Sequence, residues 1–94
     1  VETNIMRKTA YLLAIAGLTL TSQAWAGPQC TTEPKTKWQD AKAFEAELAK
    51  TYSIKKFKTT SGNCYEIYGR DQQGKKVEIY FNPVDGKIVK QERE

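Results

Sequence analysis

Met6 to Ala26 restrict what this chain has left to fold with. Met6, Arg7 and Lys8 make a short basic start, Ala10 to Leu20 an apolar stretch, and Ala24, Trp25 and Ala26 put small residues at the two positions a signal peptidase reads. The pattern predicts a removable export signal cut after Ala26, so that one domain of fewer than about 70 residues must form from Gly27 to Glu94. A membrane anchor fits worse. The apolar run is about half of the roughly 20 residues that cross a bilayer, and Thr21, Ser22 and Gln23 interrupt it. Val1 to Ile5 precede the first methionine, match no export pattern and read as an overextended start.

A body this small hides only about 60% of the surface its unfolded chain exposes, so its stability margin is thin. Cys30 and Cys64 answer that need, because export delivers them to a compartment where disulfides persist. Closing a loop of about 35 residues contributes roughly 3 to 4 kcal/mol in the chain-entropy account. Two other uses of the cysteines fit less well. A lipid anchor requires the cysteine directly after the cut, whereas Gly27, Pro28 and Gln29 intervene. A thiol redox enzyme normally spaces its pair as Cys-x-x-Cys.

Gly27 to Thr36 lacks apolar periodicity and reads as an extended lead-in tethered through Cys30. Thr36 and Gln39 fit a capping box, and Trp38, Ala41, Phe44, Leu48 and Tyr52 recur at helical steps, which predicts an amphipathic helix near residues 37–51. From Ile54 to Thr59 the chain is β-rich, but Ile54 and Phe57 fall on opposite parities, the mark of a bulge. Cys64 to Gly69 and Lys76 to Phe81 alternate as strands. Ser61 to Asn63, Arg70 to Gly74 and Pro83 to Gly86 carry turn residues, and Ile88 and Val89 make a short last strand before a charged tail. The fold class is therefore α+β, one N-terminal helix packed on a three- to four-stranded antiparallel meander. Trp38, Phe44, Leu48, Ile67, Val77, Ile79 and Phe81 are its expected core.

With those elements placed, the run Cys64, Tyr65, Glu66, Ile67, Tyr68, Gly69, then Asp71, Gly74, Val77, Glu78, Ile79, Tyr80, Phe81, Asn82, Pro83, Gly86 and Ile88 resembles the PepSY domain family. Its members show a YEVYG strand, a D-x-x-G turn, a VEVYFDP strand and a T-G turn. The likeness covers Trp38 to Lys90 and is nearest to small exported single-domain members, with residues 37–94 as the domain. Asn82 and Asp85 stand where Asp and Thr are usual, and Thr51 where glycine is common. Such domains also occur in the propeptides of thermolysin-type secreted peptidases. What the resemblance implies is a non-catalytic fold that inhibits or regulates envelope peptidases, without a reactive-site motif that could be placed on numbered residues here.

The residues themselves argue against catalysis. The chain contains 0 His, which removes the usual general base, the Ser or Cys triad and the commonest zinc ligand together. No metal site or cofactor is expected, and the isolated glycines cradle no phosphate. Glu66 and Glu78 are expected to face each other across a hairpin, wet and paired with Lys76 or another lysine. Tyr68 and Tyr80 should share the sheet face opposite the helix, either as a stabilising cross-strand pair or as a binding face with Glu66 and Glu78.

Two functions follow. The leading one is a periplasmic or secreted protein-binding module, monomeric or weakly dimeric, whose partner is a protein such as a peptidase. The alternative is an electrostatic binder of anionic glycans or lipid headgroups through Lys55, Lys56, Lys58, Lys75 and Lys76. At a net charge of +4 the basic excess is modest, and the same lysines serve equally as a solvated sheet edge that discourages aggregation. Membrane-surface contact is the less favoured use, and export argues against nucleic acid as a partner.

Overall fold

The computed structural model describes residues 27–94; the expected export signal and the early start lie outside the described residues. A 3₁₀ turn at Lys35–Lys37 precedes one α-helix, α1, at Ala41–Leu48. Four strands follow: β1 (Ser53–Thr59), β2 (Tyr65–Arg70), β3 (Lys76–Phe81) and β4 (Ile88–Arg93). They pair antiparallel in the order β1-β2-β3-β4, a meander whose neighbours in sequence are neighbours in space. Among the described residues no helix is long and apolar enough to cross a membrane.

The helix is shorter than its periodicity predicts. Asp40, not Thr36, caps it, its carboxylate accepting from the Ala43 amide at 2.9 Å. Thr36 lies inside the 3₁₀ turn, and Trp38 is extended at φ −84, ψ 152. Competing partners explain the late start: the Gln39 amide donates to the Pro83 carbonyl at 2.9 Å, and the Trp38 indole donates to the Glu33 carbonyl at 3.0 Å. Trp38 still reaches the core, edge-on to Tyr65 with ring centroids 5.7 Å apart.

Tyr65 is the centre that the expected core omitted. Its ring lies 5.4 Å from Phe44 and 5.3 Å from Phe57, and its hydroxyl donates to the Gln39 carbonyl at 2.6 Å. That bond lets a phenol be buried without an orphaned polar tip. Phe44 bridges on to Phe81 at 5.4 Å, while Ile67, Val77 and Ile79 fill the sheet face below. Trp38 and Leu48 are half-buried at the margin.

The expected irregularity in β1 is a register shift between Ile54 and Lys56, which lets Ile54 and Phe57 both pack on the core despite their parity. The shift brings the Ser53 carbonyl so near β2 that a Cβ on Gly69 would stand 2.1 Å from it. β4 is longer than expected. The charged tail is its second half, with Lys90, Gln91, Glu92 and Arg93 opposite Tyr80, Ile79, Glu78 and Val77. Main-chain pairing carries this edge, so its side chains stay exposed and leave no alternating hydrophobic pattern to read.

Cys30 and Cys64 form the expected disulfide, with Cα atoms 5.1 Å apart across a separation of 34 residues. Around it the lead-in is bonded to two turns. The Cys30 amide donates to Gly62 at 2.9 Å, the Asn82 amide group to the Cys30 carbonyl at 3.2 Å, and the Asn63 amide group to the Thr31 carbonyl at 3.2 Å. The Pro28 carbonyl sits so close that a Cβ on Gly62 would be 2.2 Å from it.

Candidate functional site

The sheet face away from α1 carries two rows of side chains, fixed by the strand registers. Lys58, Glu66, Tyr80 and Lys90 make one row, and Lys56, Tyr68, Glu78 and Glu92 the other. The four expected face residues are therefore together. They alternate, though: Glu66 stands opposite Tyr80 and Tyr68 opposite Glu78, so the two carboxylates are diagonal neighbours and do not face each other directly.

The two rows differ in exposure. Glu66 is 2% exposed, against the expectation of a wet carboxylate. It pairs with a lysine as expected, the lysine being Lys58, with Nζ 3.9 Å from Oε1. Tyr80 is half-buried and donates its hydroxyl to Glu78 Oε2 at 2.9 Å. Tyr68, at 37%, is the exposed aromatic of the face.

These contacts separate the acids. Burial, and then the neighbouring Glu78, hold the Glu66 carboxyl above the usual range. Glu78 is held below it, first by the hydrogen bond it shares with Glu66 and then by the two tyrosines, with Lys90 adding charge. Two neighbouring carboxyls are thereby pushed apart, Glu66 toward the neutral form and Glu78 toward the charged one. Both phenols are pushed up, Tyr68 mainly by Glu78 and Tyr80 mainly by burial, so both remain donors at neutral pH.

The expected basic patch converges on the exposed tyrosine. A shallow cleft of about 440 Å³ at one end of the sheet is lined by Ser53, Lys55, Tyr68, Gly69, Arg70, Lys76 and Val77. Lys55 and Lys56 flank Tyr68 again on its β1 side. Lys58 is drawn away toward Glu66, and Lys75 belongs to the turn where its amide donates to Asp71 at 2.9 Å. Arg70 is the rim residue that the sequence reading did not select; its guanidinium also donates to the Gly74 carbonyl at 2.8 Å. Its strand-end position beside Tyr68 was the available signal. Among the described residues no group of three or more Cys, Asp or Glu side chains is placed to hold a metal ion.

The YEIYG strand, the D-x-x-G turn and the VEIYFNP strand occupy adjacent β2, the β2–β3 turn and β3, and the family description Peptidase propeptide and YPEB domain, PepSY_2, matches residues 9–92. The chain belongs to this PepSY family. Neither the curated proteins nor the solved structures gave a match. Within the family frame the chain is a peptidase-propeptide-like module of α+β architecture. On that frame the structure places the Cys30–Cys64 disulfide and the lysine-rimmed Tyr68 cleft.

Proposed function

We infer that this PepSY domain is an exported, non-catalytic binding module that engages a peptidase of the envelope or the secreted pool and restrains it. The observation that carries the reading is Tyr68, an exposed ring on an otherwise ordered sheet face, set in a cleft with Lys55, Arg70 and Lys76 around it. A tyrosine so placed joins rigid apolar area to a hydrogen-bonding tip, which is the usual make-up of an interface anchor. The basic rim complements an acidic surface and speeds encounter with it. Membership of a propeptide family supports the choice of a peptidase as partner.

Capture from envelope extract tests the reading, with bound proteins identified and their hydrolytic rate measured with and without the domain. The expected result is a peptidase that is slowed by the wild type and is neither captured nor slowed by Tyr68→Ala. An identical set of captured proteins from both, or no change in rate, counts against it. The same rim favours a second reading, contact with anionic glycans or headgroups. That version predicts sedimentation with anionic vesicles that weakens as salt is added.

A further inference from the structure

Glu66 presents an unsolved problem of charge. It is 2% exposed, and its Oε2 has no hydrogen-bond partner. Lys58 approaches only the other oxygen, at 3.9 Å, and is itself half-exposed. Glu78, diagonal to it, adds a second negative charge and already takes the Tyr80 hydroxyl. Lys90 stands opposite Tyr80, but its ammonium turns to Glu92 at 3.8 Å. Lys56 and the phenol of Tyr68 complete the titratable groups of the two rows. The inner end of the face thus holds two acids whose one paired cation, Lys58, reaches a single oxygen of Glu66 and leaves Oε2 without a partner.

Gly27 lies against that end. A Cβ on it would stand 3.2 Å from the Tyr80 hydroxyl, which is 2.9 Å from Glu78 Oε2. A residue's nitrogen is about 2.5 Å from its Cβ, so the Gly27 nitrogen lies within about 6 Å of that hydroxyl. The position is held, because the Pro28 carbonyl is 3.4 Å from the Cys64 sulfur and Cys30 is bonded to both Gly62 and Cys64. In an uncut chain this nitrogen is an amide and carries no charge.

We propose that hydrolysis of the Ala26–Gly27 bond creates a further cation, the Gly27 α-ammonium, which docks beside the Tyr80 hydroxyl on the Glu66 and Glu78 carboxylates. Water adds across the amide, Ala26 leaves as a carboxylate, and the freed amine of Gly27 takes up a proton. The inference rests on the export reading that places the cut after Ala26. Before the cut, burial and the nearby Glu78 push the Glu66 carboxyl up and disfavour ionisation of both acids together. Afterwards the ammonium offsets that push. Removal of the leader then strengthens the fold, and a chain still carrying its leader remains the looser of the two, which suits passage across a membrane.

The test uses the exported protein. Its mass gives the first residue, and selective acetylation of the α-amine near neutral pH, done in denaturant and followed by refolding, removes the charge while sparing the lysines. Acetylation is expected to lower the Tm at pH 7 by about 4 °C or more. The drop should vanish in the Glu66→Gln, Glu78→Gln double variant, and shrink in Glu78→Gln alone should the double variant not fold. A first residue other than Gly27 overturns the proposal at the processing step. A Gly27 start with no effect of acetylation, or an equal drop in the variants, overturns the docking and leaves the processing intact.

Discussion

Asp71 organises the β2–β3 turn with one carboxylate. Its Oδ1 accepts the Gln73 and Lys75 amides, each at 2.9 Å, and its Oδ2 pairs with Arg93 of β4. The Lys75 amide, then the Gln73 amide and Arg93, hold its carboxyl below the ordinary value of 3.8. A depressed folded value means stability that is present above 3.8 and is lost as pH falls through the lower, folded value. Asp71→Asn keeps the turn acceptor and loses the charge. Melting curves should therefore show the variant below wild type at pH 7, with the gap closing toward pH 2. A constant gap would mean that the charge is irrelevant. The aspartate of a D-x-x-G turn is legible in sequence because it acts on amides two and four residues away. Glu66 was not: alternation puts it correctly on the outer face, but its burial there leaves no mark in any local pattern.

At the scale of elements, α1 has 8 residues, too few to persist alone in water. It is held at one end by Asp40 and through the middle by Phe44, which touches Tyr65 and Phe81. Asp40→Ala should cost about 1 kcal/mol and Phe44→Ala about 3 to 5 kcal/mol, read from denaturant midpoints at constant m. Equal effects would show that cap and core are not separable in so short a helix. The strands were legible because Val77, Ile79 and Phe81 face a core while Lys76, Glu78 and Tyr80 do not, and because Ile54 and Phe57 could both be buried only through a bulge. The helix start and the length of β4 were hidden for one reason. Both are decided by main-chain bonds, Gln39 to Pro83 and Glu94 to Lys76, whose partners are distant in sequence.

For the whole molecule the disulfide joins the lead-in to Cys64, the residue that leads into the central strand β2. Replacing both cysteines by serine should cost about 3 to 4 kcal/mol, which for a domain of this size is most of the margin. Thermal melts with and without reductant check this directly: an unchanged Tm would show that the core alone suffices. That one pairing was legible because two cysteines allow one partner each. The junction of the basic rim with Tyr68 was not, because the β1 bulge sets which lysines reach it. The tether also makes the chain's two ends unequal under load. β4 is an outer strand whose rungs can be peeled singly from its tail, while a pull at the head is borne by sulfur beside a central strand. A motor or protease that grips this molecule will find it soft from behind and stiff from the front.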